Sequence, residues 1–216
     1  MKKGKRQKAV VLRTYTLSAV ISDIEVLDHV GKWSARAEGS IGLDAIIRRR
    51  VRMILVPPFV TSKEGASILQ AKCEAALFAR ENPLLQNAFS IKGLSTMTWS
   101  NDQIDQSIVY FPVTIKRSGI VRERFFNHVK DLRKMVKGVD QFSWQRNIPP
   151  EFCPYIQCVF APKGRRNGNL TQVIEESQRE FRPVEFQTGQ MILCVERGEN
   201  WELFQNTLPS QEEDIS

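Results

Sequence analysis

Arg52-Met53-Ile54-Leu55-Val56-Pro57-Pro58-Phe59 is the most informative segment of the chain. It is an apolar run opened by a cation, the composition of a buried strand. Pro57-Pro58 ends it, because proline donates no backbone hydrogen bond and has no place inside a central ladder. A strand over 50–59 is therefore predicted. Just downstream, Thr61 stands three residues before Glu64, the spacing of a capping box. Ala66, Leu69, Cys73, Ala76, Leu77 and Arg80 follow at helical spacing, and Asn82-Pro83 stops the helix.

Working outward, Val10 to Val26 is rich in β-formers with partial alternation and reads as one long strand or a hairpin. Gly31 to Leu43 is polar and broken by glycine, which reads as loop or a weak strand around Trp33. Further strands are predicted over 88–94, 107–115 and 154–161, and a closing pair over 189–197 and 201–207. Val121, Phe125, Val129, Leu132 and Val136 share one face of a helix over 119–137, closed by Gly138. A shorter helix covers 170–179. About eight strands and three helices in this irregular order imply an α+β fold, with antiparallel sheets and helices to one side. One domain is expected over 9–209, between a basic segment, 1–8, and an acidic tail, 210–216, both expected to be disordered.

Composition bounds the function classes. Of 216 residues, 42% are hydrophobic and 25% charged, as in an ordinary globular protein. No run approaches the roughly 20 apolar residues of a membrane helix, and no secretion signal opens the chain. Cys73, Cys153, Cys158 and Cys194 lack the two-residue spacing of a zinc or redox pair and read as reduced, packed thiols, which implies a cytoplasmic setting. No three-ligand metal set and no cofactor motif are visible. The net charge of +7 is clustered near the N-terminus, at Arg48-Arg49-Arg50 with Arg52, and at Lys163, Arg165 and Arg166. Such clusters favour a polyanion through counterion release.

Two strands carry a resemblance. Arg52 to Phe59 resembles the first motif strand of the 2H phosphoesterase superfamily, in its 2′,5′ RNA ligase-like and cyclic phosphodiesterase-like branch, where His-x-Thr-Leu runs into Pro-Pro-Phe. Phe152-Cys-Pro-Tyr-Ile-Gln-Cys-Val-Phe160 is similar to the second, usually Pro-His-x-Thr-Leu. Residues 186–208 resemble the family's final hairpin. The resemblance implies a bilobal α+β fold, two antiparallel sheets forming a central groove with helices on the outer faces. In active members one imidazole is the general base and the other the general acid of phosphodiester cleavage, with the threonines holding the phosphate.

All four motif positions are substituted here. Arg52 and Tyr155 stand where the histidines would be, Ile54 and Gln157 where the threonines would be. Arginine stays protonated, tyrosine titrates near pH 10, and isoleucine donates nothing. Two-histidine phosphodiesterase or ligase chemistry is not expected, and no catalytic residue is assigned. Arg52 can still grip a phosphate bidentately, Tyr155 can stack on a base and Gln157 can donate and accept. Lys163, Arg165 and Arg166, on the loop after the second motif, could meet a nucleic-acid backbone. The implied function is a degenerate relative that binds RNA or a small nucleotide in its groove. The alternatives are a phosphodiesterase with a rearranged site that uses His29 or Tyr155, and a protein-interaction scaffold. His128 reads as a helix-flank residue and Trp144 as the best candidate for an exposed stacking platform.

Overall fold

The computed structural model describes residues 10–41, 46–47, 51–77, 88–101, 104–115, 119–145, 154–162, 168–197 and 200–204 of the 216. Lys163, Arg165, Arg166, Arg48 to Arg50, Cys153 and the two expected disordered ends lie outside the described residues. Among the described residues the chain runs β1 (Leu12–Val20), α1 (Ile24–Ile41), β2 (Ile46–Ile47), β3 (Arg52–Ser62), α2 (Lys63–Leu77), β4 (Phe89–Ile91), β5 (Ser95–Asn101) and β6 (Ile104–Ile115). It continues through α3 (Gly119–Lys137), β7 (Ser143–Trp144), β8 (Tyr155–Pro162), α4 (Gly168–Glu180), β9 (Val184–Phe186), β10 (Met191–Arg197) and β11 (Asn200–Leu203).

The fold is α+β, and every strand pairing described is antiparallel. The strands follow the order β11-β10-β1-β3-β8-β6-β4-β9, with β2 on β8, β5 on β6 and β7 on β3. The ladders form two sheets, a larger one and a smaller one of β4 and β9, which meet along β6.

Residues directly opposite in an antiparallel ladder share a face, so the register sorts the side chains into rows. One row, Met191, Ala19, Met53, Ile156 and Phe111, crosses five strands and is apolar and buried throughout. Helices pack on this face. Cys158, two residues along from Ile156, donates its Sγ–H to Ser34 Oγ of α1. Phe181, at the end of α4, lies against Phe111, and Phe125 of α3 meets Phe89 edge to face. The opposite face carries the row Ile192, Ser18, Ile54, Tyr155 and Pro112.

Three sequence expectations change. Residues 24–41 are one helix, not the end of a strand followed by a loop. Val26, Val30, Trp33, Ala37 and Ile41 form its buried stripe, and the Asp23 carboxylate accepts the Val26 N–H at 3.1 Å as its N-cap. A Cβ added at Gly31 or Gly39 would meet nothing within 4 Å, so neither glycine marks a close approach that would break the helix. The strand β3 also runs past its prolines to Ser62. Tyr15 pairs with Phe59 and Leu17 with Val56, so three steps on β3 oppose two on β1 and the strand bulges at Pro57-Pro58. On its other edge β3 meets β8 only at Met53-Ile54 and β7 only at Phe59-Val60, leaving the prolines in the gap. Finally, Ser62 rather than Thr61 caps α2, accepting the Gly65 N–H at 3.0 Å, while Thr61 donates to the Asp140 carbonyl at 2.6 Å.

Candidate functional site

The strands β3 and β8, distant in sequence, are neighbours in the sheet. Ile54 pairs with Tyr155 and Met53 with Ile156. Continuing that register brings Arg52 abreast of Gln157. Side chains alternate along each strand, so Arg52, Ile54, Tyr155 and Gln157 form a two-by-two patch on the face opposite α1 and α3. The four substituted motif positions are thus brought together.

Their environments differ. Arg52, Ile54 and Tyr155 are buried, and Gln157 is half-buried. Arg52 points along the face across β1. Its guanidinium donates to the Trp201 carbonyl at 2.7 Å and to Cys194 Sγ, so it ties the β10–β11 hairpin to the middle of the sheet. A buried cation held this way is part of the framework as well as a local positive charge. The Tyr155 ring meets Tyr110 edge to face at 5.8 Å, and Tyr110 is itself opposite Gln157.

Sequence reading missed two members of this face. Ser18 lies opposite Ile54 and Tyr110 opposite Gln157. A signal for Ser18 was present: Thr16 and Ser18 alternate with Tyr15, Leu17 and Ala19, which puts the two hydroxyls on the face away from the apolar row. Thr16 Oγ1 donates to the Val56 carbonyl at 2.8 Å. Ser18 Oγ and Gln157 Nε2 are buried and have no hydrogen-bond partner among the described residues. Buried polar groups in native proteins are normally paired, so a water or a ligand would complete these two.

Other candidate residues lie elsewhere. His29, on α1, sits edge-on to Phe181 at 4.4 Å, and Phe181 packs on Phe111, so His29 belongs to the helical side. Burial pulls its pKa, and more plainly that of His128 on α3, below the usual imidazole value. Neither histidine is part of the patch. Trp144 is half-buried rather than an exposed platform: Arg133 lies over its ring at 5.0 Å, Lys137 at 6.0 Å, and Phe142 meets it edge to face. Cys73, Cys158 and Cys194 are buried and in no disulfide among the described residues, and burial pushes the Cys158 thiol up to about 12. Among the described residues no group of three or more His, Cys, Asp or Glu side chains could hold a metal ion. A cavity of about 410 Å³ opens where the β4–β5 turn meets the end of α4, walled by Gly93, Phe181, Pro183 and Pro112, the last of which is opposite Tyr155. No helix among the described residues is long and apolar enough to cross a membrane.

No family model matches the chain, and no curated protein matches it. Among solved structures it is similar to Kluyveromyces marxianus Usb1 with uridine monophosphate, at 8% identity and a TM-score of 0.47, covering 89% of this chain and 97% of that one. It is also similar to Kluyveromyces marxianus Usb1 in a second structure, at 8% identity and a TM-score of 0.46, covering 88% and 97%. Likeness at this level transfers no residue role.

Proposed function

We propose that this chain binds RNA or a small nucleotide on the sheet face that carries Ser18, Arg52, Tyr155 and Gln157, and does not cleave it by two-histidine chemistry. The observation that carries the reading is the contiguous patch built from β3 and β8, beside which Ser18 Oγ and Gln157 Nε2 are buried without a described partner. An anionic, hydrogen-bonding ligand would satisfy both groups beside the fixed charge of Arg52. Lys163, Arg165 and Arg166, which follow β8 in the sequence, extend the proposal to a phosphate backbone. Cleavage lacks a proton acceptor near neutrality, since Arg52, Gln157, Tyr155 and Tyr110 offer a guanidinium, an amide and two phenols, and Ile54 and Ser18 have no acid–base use. The buried thiols of Cys73, Cys158 and Cys194 suit a reducing, cytoplasmic setting.

Titration of the purified chain with uridine monophosphate and with a fluorescein-labelled oligouridylate tests this. Gln157→Ala is expected to weaken both by about 5- to 30-fold, the loss of one buried hydrogen bond of about 1–2 kcal/mol. Unchanged affinity for both in Gln157→Ala, or hydrolysis of 2′,3′-cyclic nucleotides that disappears in Tyr155→Phe, would reject the reading. A scaffold reading has one observation in its favour, the hydrogen bonds that commit Arg52 to the β10–β11 hairpin. It is favoured if neither ligand binds at low salt while Arg52→Met lowers stability.

A further inference from the structure

We infer that α3 carries a second nucleic-acid contact, a cationic stripe that holds the phosphate backbone of a single strand on the helical side of the molecule. At 100° per residue, Arg122, Lys130, Arg133, Lys134 and Lys137 fall within about a third of the helix circumference. All but Arg133 are exposed. From Arg122 to Lys137 the stripe runs about 22 Å at 1.5 Å per residue, long enough to follow several consecutive phosphates.

An ordinary solvated helix face does not account for it. On α4 the exposed charges are mostly acidic, with Glu175 and Glu180 beside Arg179, and on α1 Lys32 and Arg36 are interspersed with Glu25, Asp28 and Glu38. On α3 six cations outnumber two acids, Glu123, which falls inside the stripe, and Asp131, which pairs with Lys134 at 3.2 Å, so the stripe keeps a cationic excess. The helix dipole accounts for Lys134 and Lys137 in the last turn but not for the N-terminal end of the stripe. The first turn has no acidic residue, and Arg122 and Arg124 sit towards the positive end of the helix dipole. Lys130 with Lys134, and Arg133 with Lys137, are like-charged pairs four residues apart, which disfavour a helix. Arg133 and Lys137 are gathered over the Trp144 ring at 5.0 and 6.0 Å, which concentrates charge at the C-terminal end of the stripe. Charge placed against local preference is explained by a polyanion that repays it on binding.

The inference goes beyond the patch and can fail separately from it. The test is binding of a fluorescein-labelled twelve-nucleotide oligouridylate across 50–300 mM salt, with uridine monophosphate as the short ligand. The triple variant Arg122→Gln, Lys130→Gln, Lys137→Gln, confirmed folded by circular dichroism, should bind the oligonucleotide at least tenfold more weakly. Its slope of log K against log salt should flatten by about 2, since each single-strand phosphate contact contributes about 0.7. Its affinity for uridine monophosphate should not move, whereas Gln157→Ala weakens both ligands if the patch reading holds. The control Lys72→Gln, Lys92→Gln, Arg182→Gln removes the same charge from exposed positions off the stripe. An equal loss in that control, an unchanged slope in the α3 variant, or no oligonucleotide binding at 50 mM salt would each overturn the inference. So would polyglutamate or anionic lipid vesicles that bind with the same stripe dependence as the oligonucleotide.

Discussion

Ser18 is buried on the patch face, with its hydroxyl lacking any hydrogen-bond partner among the described residues. A desolvated, unpaired hydroxyl costs stability, and removing it relieves that cost. Ser18→Ala should therefore raise the unfolding free energy in urea by up to about 1 kcal/mol, while weakening nucleotide binding if the proposed site is right. Destabilisation by more than about 1 kcal/mol would show that the hydroxyl is satisfied in the free protein. Arg52 differs: its donors already have partners in Trp201 and Cys194, so its loss is read first as a loss of framework. Motif spacing alone picks out the four residues that the ladder brings together, because the spacing survives without the motif chemistry. It could not show that Arg52 reaches over β1 to the C-terminal hairpin, since that contact depends on the neighbour order of four strands.

At the scale of elements, the turn between β4 and β5 is wedged against α4. Leu94 N–H donates to Ser177 Oγ at 2.6 Å, and Gln178 Nε2 donates to the Leu94 carbonyl at 2.9 Å. A Cβ on Gly93 would stand 2.8 Å from Gln178 Cα and 2.9 Å from the Ser177 carbonyl oxygen. Both obstacles are backbone, so Gly93→Ala must separate turn and helix. It is expected to cost about 1–3 kcal/mol, measured as a lower urea midpoint at unchanged slope; a midpoint equal to wild type would refute the wedge. The legible elements were those with one dominant period: α3, the α2 helix, the α4 helix and the β8 strand. The strands β5 and β9 are not legible in the sequence, and neither is α1, whose Gly31 and Gly39 look like loop punctuation although its buried residues recur every three or four positions. The β3 strand was read but cut short, because a bulge can place prolines where no ladder bond is required, and the pairing that allows this belongs to β7 and β8 rather than to β3.

Across the whole molecule, burial shifts His29, His128 and Cys158 in ways that limit the stable pH range from both sides. His29 and His128 are held below the usual imidazole pKa of 6.5 by desolvation, so the unfolded chain takes up protons first as pH falls. The stability they contribute is full above pH 6.5 and is lost as pH falls through their native values. Cys158 is shifted the other way, from 9.0 to about 12, so its contribution is present below pH 9 and lost as pH rises. Urea midpoints should be highest between these limits and lower at pH 6.0 and pH 10 than at pH 7.5. His29→Gln with His128→Gln should flatten the acid side alone; an acid limb unchanged in that double variant would assign it to other groups.

The place of β1 in the sheet has a kinetic meaning. Its two neighbours are β3 and β10, and Tyr15 is opposite Val195 near the far end of the chain. During synthesis β1 can pair with β3 early, but its other edge stays open until β10 has emerged. That edge displays unpaired N–H and C=O groups, a template for association with other chains. So distant a pairing also carries a large loop-closure cost and places the molecule among slow folders. The C-terminal hairpin that receives Arg52 thus also covers the second edge of β1, and the patch lies beside that seam.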